Sequence, residues 1–580
     1  MRGDRGPANE RLGASAAARP DPAATQPPPG RAATQRPPDW PGQQFATSAP
    51  ARTIWTRTRS HAGEAVALAA IFILAAADRL VNLPARGMWG SDQGTETWAI
   101  WKAVVARQLP TFGSPAFSTG GTFHHGALFY DLMMPAAWLG NGNPTVVVFT
   151  IALFGIAVVP MVWWTARSMG GTSAGLAAAL LAAVSPSLID YSTFVWNPVL
   201  VETGAAMACL GAWEAWRTRQ PRWWVVAAAG TALASQSHLT GLVLILPMAL
   251  IFALALRRGP AGERRRLLKW GLAGAGLFVL TWLPLIVYEL GHDFAETRAI
   301  LAFDQPGPPA AGPLIQVFFG AMRIAAWPMT HWPLDNFRSG AVVAFVVAAA
   351  MVLGLVWRVA GTFGTRPAQA AASQAVSERE GLRLVGGSLL LITLVLSLGL
   401  RQISQVENVN EEQYHCVADV LVLLASALVV SGLWRTAVAG HASLGRIAGV
   451  LALAGLTAVG IGNWPPFTAP DGGWPAARAS ADRLRTDAAG GPIAFVSMPT
   501  FIQADAYGYP LTLDNVTLEG PDHAATVVIL CDSGWYTGCG GVAEEQWRVA
   551  QADPASLLLV DRFQPAPGRT LTVYRRAHQA

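Results

Sequence analysis

One stretch, residues 89–131, reads WGSDQGTETWAIWKAVVARQLPTFGSPAFSTGGTFHHGALFYD and gathers Asp92, Glu96, His124, His125 and Asp131. An ionised carboxylate can take a proton from a hydroxyl. An imidazole can donate to a phosphate or bind a metal near neutral pH. Ser91 reads as an N-cap, and Asp92 then sits in a first turn, where the helix dipole favours the ionised acid. Over 95–108, Trp98, Trp101, Val104, Val105 and Gln108 share one side, with Glu96, Lys102 and Arg107 elsewhere. That is the pattern of an amphipathic helix in a membrane interface, anchored by tryptophan. The plainer reading of Asp92 is a solvated capping residue. For His124 and His125 it is a polar helix start, since helix neighbours point about 100° apart and cannot easily face one ligand.

What must position these residues is a membrane domain. The chain has 580 residues, 52% hydrophobic and 13% charged, against about 25% charged in a soluble protein. Apolar runs of roughly 20 residues recur, each able to cross about 30 Å of hydrocarbon. Candidate spans fall at 63–83, 126–141, 144–166, 173–190, 198–216, 223–238, 240–256, 270–290, 339–358, 384–400, 417–434 and 445–463. The net charge of +5 bears on topology rather than on nucleic acid. Nine arginines up to Arg59 place the N-terminus in the cytoplasm. Arg217, Arg219 and Arg222, then Arg257 to Lys269, then Arg358 to Arg383 mark further cytoplasmic loops. Segments 84–125, 291–338 and 401–416 are then outside. The parity does not close if every candidate crosses. A re-entrant early segment such as 126–141, or a different split of one segment, would close it, and the total stands at 11–13 spans.

Residues 1–60 are rich in Pro, Ala, Arg and Gln and cannot bury a core, so a disordered cytoplasmic tail is expected. No apolar segment of a signal peptide occurs before about residue 63. Residues 61–463 form the membrane domain. Residues 464–580 alternate PIAFVSM, ATVVILC, ASLLLVDRF and TLTVYRR with turns, which predicts a small extracytoplasmic α/β domain. Cys531 and Cys539 flank CDSGWYTGCG, where a disulfide fits an oxidising compartment, and Cys209 reads as a buried apolar residue. Only two of 41 basic residues are lysine, the usage of a high-GC bacterium. The fold class is mainly α: a polytopic helical bundle, a first outer loop with interfacial helices, and the C-terminal α/β domain.

Other candidates fall on the same outer side. They are Asp190, Tyr191, Trp196 and Asn197; His238; His292, Asp293, Glu296 and Arg298; and Glu407, Glu411, Glu412, Tyr414 and His415. Each alone reads as a solvated loop residue or a membrane-edge aromatic. Their shared sidedness is the stronger observation. Glu202, one turn into a span, is a functional candidate because an acid at membrane depth is costly.

Together these features resemble the GT-C superfamily of integral membrane glycosyltransferases. They are DRLVNLP closing the first span, the outer-loop aspartate, the interfacial helix, the H-H-G-x-L-x-Y start of the next segment, and AGLAAALLAAVSPSLIDYSTFVWNP. The branch resembled is the bacterial relatives of dolichyl-phosphate-mannose protein mannosyltransferases and of the lipid A aminoarabinose transferase. The resemblance covers 78–300 well and 384–463 loosely. It implies a polyprenyl-phosphate sugar donor, an extracytoplasmic site in the bacterial plasma membrane, and inverting transfer to an acceptor hydroxyl on a glycan, lipid or protein. It makes Asp92 the catalytic base. His124, His125, His238 and Arg298 become candidates for the donor phosphate. Glu96, Tyr191, Asn197, Tyr414 and His415 become candidates for acceptor or sugar contacts. A divalent metal stays open, with Glu96 and His124 as candidate ligands. The chain departs from the pattern at Gln93, where relatives often carry Glu, and at His124-His125-Gly126, where many carry Glu-Lys-Pro. A multi-span secondary transporter and a catalytically inactive scaffold with an outer binding domain are the alternatives. A transporter lacks support from paired broken helices.

Overall fold

The computed structural model describes residues 51–118, 121–303, 312–331, 339–364, 372–400, 414–436 and 441–577. Of the tail expected over 1–60, residues 1–50 lie outside the described residues, as do Glu407, Glu411 and Glu412, whereas 51–60 is helical rather than disordered.

Helix α1 (Ala51–Leu80) leads through the short α2 (Leu83–Arg86) into α3 (Ser91–Ala106). An antiparallel hairpin, β1 (Pro115–Ser118) and β2 (Gly121–His124), precedes α4 (Leu128–Leu139). The bundle continues with α5 (Pro144–Gly170), α6 (Thr172–Val184), α7 (Pro186–Asp190), α8 (Val201–Thr218), α9 (Trp223–Ser237), α10 (Ile245–Arg258) and α11 (Ala261–Gly291). Next come α12 (Ala295–Leu301), α13 (Pro313–Thr330), α14 (Ser339–Gly364), α15 (Ala372–Gly399), α16 (Asp419–Arg435) and α17 (Ala442–Gly462).

Seven described helical stretches are long and apolar enough to cross a bilayer. The shorter helices pack tightly among them through small residues. A Cβ on Gly204 would lie 2.5 Å from the Ala234 nitrogen, and one on Gly211 would lie 2.4 Å from the Ala227 nitrogen, so α8 and α9 run antiparallel at backbone contact. Candidate span 126–141 is the 12-residue α4, broken off at Gly140. At 1.5 Å per residue it reaches about 18 Å and does not cross. Against the 11–13 spans expected from sequence, the described residues supply these seven by length and composition, with α6 as a shorter apolar helix.

Two sequence expectations are corrected. Segment 291–338 is not all loop: α12 and α13 lie within it. The α13 sequence is apolar but interrupted by Gln316 and Arg323, which broke the hydropathy signal; both are buried inside the protein. The cap of α3 is Gly90, not Ser91, and the helix starts one residue earlier than expected.

The C-terminal domain comprises α18 (Gly473–Asp487), β3 (Ile493–Met498), α19 (Asp505–Leu513), β4 (Thr526–Asp532), α20 (Val542–Val549), β5 (Leu557–Ala566) and β6 (Arg569–Arg576). Its sheet order is β3-β4-β6-β5, with β3 and β4 parallel and the other pairs antiparallel. The four strands are those the apolar runs predict. Val527 to Leu530 are buried on both faces, which is why β4 reads as a continuous apolar run. Cys531 and Cys539 are bonded, and Cys209 and Cys416 are free and buried.

This domain sits on α3. Thr95 Oγ1 donates to Asp505 Oδ2 at 2.8 Å, Trp89 Nε1 to the Ala506 carbonyl at 2.9 Å, and the Gln503 N–H to Ser91 Oγ at 3.0 Å. Gly94 lets α3 and α19 touch: an added Cβ would lie 2.4 Å from the Ala506 nitrogen. Gly94→Val should therefore push the domain off α3, at about 1–3 kcal/mol of overpacking strain. Limited proteolysis would read this as faster cleavage between residues 464 and 505 in the variant. Unchanged cleavage would show that the contact does not hold the domain.

Candidate functional site

Helix α3 places Asp92 and Glu96 one turn apart on the same side. Their surroundings differ. Glu96 is 2% exposed and hydrogen-bonds with Ser114 and Tyr130. Burial, reinforced by the nearby Asp92 charge, pushes its carboxyl up to about 7. Asp92 is exposed, yet desolvation still raises its carboxyl above the ordinary range, opposed by the Arg569 guanidinium. Arg569 reaches over it from the C-terminal domain, with Nη1 3.4 Å from the Trp89 carbonyl and 3.9 Å from Asp471.

Gln93 turns inward, and its Oε1 accepts from the Gly90 N–H at 2.9 Å. It caps α3 rather than joining the carboxylates. Trp98 and Trp101 do not stand free as interfacial anchors. They pack on the C-terminal domain, Trp98 near Gly508 and Trp101 near Leu513 and Gly142. Trp98, Trp101 and Val104 are thus covered by protein, a partner that helical periodicity cannot distinguish from lipid, while Val105 stays exposed.

His124 and His125 are not on a helix. They close β2 and leave it in extended chain, so their rings part to opposite sides. His124 Nδ1 meets Glu296 Oε1 at 3.0 Å, and its N–H donates to Glu296 Oε2 at 2.7 Å. Its ring stacks on Phe112. Arg298, on the same short α12 as Glu296, is exposed.

His125 is buried, and burial pushes its imidazole down to about 4, so it is neutral. Its Nδ1 accepts the Leu239 N–H at 3.3 Å, which assigns the proton to Nε2. The chain pairing of Gly113 and Ser114 with His125 connects it to Glu96. The His125 and His238 rings lie 4.7 Å apart, and Tyr414 meets His238 edge-on at 5.5 Å. His238 Nδ1 is held by Thr240 Oγ1 at 2.7 Å. The sequence named these residues singly; the fold makes them one row.

A second group lies across Tyr414 and His415. His415 is buried with its ring 5.2 Å from Trp327, and Trp327 also packs on His331. His331 Nε2 is 3.8 Å from Asp190. Arg86, which sequence reasoning missed, completes the group. It is 2% exposed, and none of its three guanidinium nitrogens meets a hydrogen-bond acceptor among the described residues. Phe467 lies beneath it at 4.1 Å, and the acids that attract it are Asp78 and Asp190. The available signal was an arginine directly beyond the first span, six residues before Asp92.

Tyr191 is buried between Phe194 and Trp196. Asn197 Nδ2 donates to the Ser237 carbonyl at 2.7 Å and so fixes the chain beside His238. Glu202 is buried deeper, bridged through the Ser187 hydroxyl (3.2 Å) to Asp419 (2.6 Å). Among the described residues no three His, Cys, Asp or Glu side chains gather as a metal site, and the candidate ligands Glu96 and His124 are engaged separately.

Residues 128–288, from α4 into α11, match the family model of dolichyl-phosphate-mannose-protein mannosyltransferase. A search of curated proteins found no match. Among solved structures, the apo ArnT of Cupriavidus metallidurans is similar at 12% identity and a TM-score of 0.44, over 90% of this chain and 98% of that one. The undecaprenyl-phosphate-bound form of that ArnT gives 12% and 0.43, over 88% and 98%. The apo oligosaccharyltransferase of Archaeoglobus fulgidus gives 12% and 0.45, over 80% and 65%. At such identity a likeness bears on the fold alone. The matched segment lies within the stretch where the motifs carried the resemblance, and over residues 128–288 the chain is similar to that mannosyltransferase family.

Proposed function

We propose that this chain transfers a sugar from a polyprenyl-phosphate donor to an acceptor hydroxyl at the extracytoplasmic face. The observation that carries the reading is the Asp92–Glu96 pair: two carboxylates one turn apart, one in the open and one sealed, both raised. Environments that divide two acids in this way set acid and base roles. Asp92 takes the acceptor proton. The acceptor oxygen forms its bond to the anomeric carbon from the opposite face. The anomeric carbon–oxygen bond to phosphate breaks, and polyprenyl phosphate leaves with the electron pair, giving inversion. The developing phosphate charge is met by the Nε2–H donors of neutral His125 and His238, by Arg86 and by His124. Arg298, exposed on α12, serves the lipid-phosphate end of the donor. Tyr414 and His415 line the sugar side, while Tyr191 and Asn197 hold the wall behind it. The Cys531–Cys539 disulfide fits an oxidising compartment for this face.

Transfer in purified membranes from a panel of radiolabelled polyprenyl-phosphate sugars tests the reading. Turnover from one donor that is lost in Asp92→Asn supports it. Turnover indifferent to Asp92 overturns it in favour of a transporter or scaffold.

Glu96 gives a pH prediction. Its folded-state carboxyl sits near 7 against an ordinary 4.5. The folded protein thus holds this proton more tightly than the unfolded chain. Its contribution to stability is full below about pH 4.5 and fades as pH rises through about 7. Glu96→Gln should remove that slope from thermal unfolding across the interval. The acid limb of transfer, set by Asp92, should stay in place, because Glu96 is already neutral there. A limb that moves with Glu96→Gln would make Glu96 the base.

A further inference from the structure

At the end of the bundle remote from Asp92, a crevice of about 350 Å³ opens between α8, α10, α11 and α15. Helix α8 runs from the Asn197 turn at the site end to Arg217 at the crevice, so the two places lie at opposite membrane surfaces. Arg217, Arg219, Arg258 and Arg266 line the crevice, against Glu263 and Glu380, and Arg217 Nε is paired with Glu214 Oε1 at 2.7 Å. Arg258 is placed: Nη2 is 2.5 Å from Glu380 Oε1, and its guanidinium lies 4.3 Å over Trp216, whose indole also donates to Glu380 at 3.0 Å. Arg219 is only loosely matched by Glu263 at 3.9 Å, with both side chains largely in water. Arg266 has no ion pair or hydrogen bond among the described residues. The crevice therefore keeps an excess of guanidinium, the group that best fits phosphate oxygens in pairs.

Its inner wall is apolar. Trp213, Ala255 and Leu267 line it, and α11 continues into the bilayer with Leu268, Trp270 and Leu272 exposed. Cations at the water side with bare apolar helix directly beneath match a phosphodiester bearing acyl chains. Basic pockets between membrane helices hold such headgroups. We infer that this crevice binds the headgroup of an anionic phospholipid, independently of the chemistry proposed at the opposite surface.

The test uses the purified full chain in detergent, with native mass spectrometry and titration of cardiolipin, phosphatidylcholine or inorganic phosphate. Wild type should retain cardiolipin and not phosphatidylcholine. Arg219→Ala with Arg266→Ala should weaken cardiolipin about 30-fold, from the usual surface contribution per arginine. Arg265→Ala removes one arginine charge from α11, beside Arg266 but outside the crevice, and should change little. Equal retention by the double variant overturns the site. Equal loss with Arg265→Ala reduces it to a diffuse field and overturns it too. Inorganic phosphate that binds as well as the lipid and displaces it would make this a free-phosphate site instead. Elution of each variant as wild type on gel filtration separates these results from misfolding.

Discussion

Asp92→Asn lowers sugar transfer by about 10²- to 10⁴-fold, the range a positioned general base supplies, while the chain stays folded and membrane-inserted. Folding should survive because Asp92 is exposed and forms no hydrogen bond on which the α3 cap depends; that cap is made by Gln93 and Gly90. Asparagine keeps the shape and removes the proton acceptor. It also removes the negative charge that adds to the effect of burial on Glu96, so the Glu96 carboxyl should move slightly down from about 7, with burial still holding it above the ordinary range. Single-turnover transfer with saturating donor checks the first effect. The pH dependence of thermal unfolding checks the second, since the slope attributed to Glu96 should shift to lower pH. Loss of transfer with an unmoved slope would mean that the two carboxylates are not coupled and that the division of roles between them is wrong.

The sequence made some of this legible and hid the rest for definable reasons. The spans are visible as long apolar runs, and β4 is visible because burial on both faces writes a continuous apolar run, whereas β5 is visible from a run whose Leu558, Leu559 and Val560 are exposed. Asp92 stands out in the sequence as a candidate because it follows a membrane span at the start of a helix, although a solvated cap reads equally plainly there. His124 and His125 were visible as residues but misplaced as geometry. Nothing local says whether chain before a helix is already helical, and only the β1–β2 pairing makes it extended. Trp98 and Trp101 carried the pattern of a membrane anchor, but an apolar helix side cannot say whether lipid or a folded domain covers it. The row from Glu96 through His125 and His238 to Tyr414 joins residues over 300 positions apart, and no spacing rule reaches that far. Arg86 was missed because an arginine after a span reads as a topology marker or a snorkelling side chain; its burial is a tertiary fact.

Arg86→Met separates a functional cation from a structural one. A guanidinium 2% exposed with no hydrogen-bond acceptor among the described residues is desolvated at a cost of several kcal/mol, offset in part by Asp78, Asp190 and the Phe467 face. Asp78 keeps its 2.7 Å pair with Arg79, and Asp190 is open enough, at 22% side-chain exposure, to be protonated from water. Neither acid is therefore stranded as a bare buried charge when Arg86 goes. Methionine fills much of the volume on Phe467. The expected result is unfolding at an equal or higher temperature, together with transfer lowered by about 10²-fold or more, the loss typical of one donor to a developing charge. Arg86→Lys should recover part of the transfer, since the charge returns without the paired donors. A chain tuned only for folding would not keep such a group. If Arg86→Met instead lowers the unfolding temperature and leaves transfer per folded molecule unchanged, Arg86 is a clasp between the first span and the segment around Phe467, and the donor phosphate is held by the histidines alone.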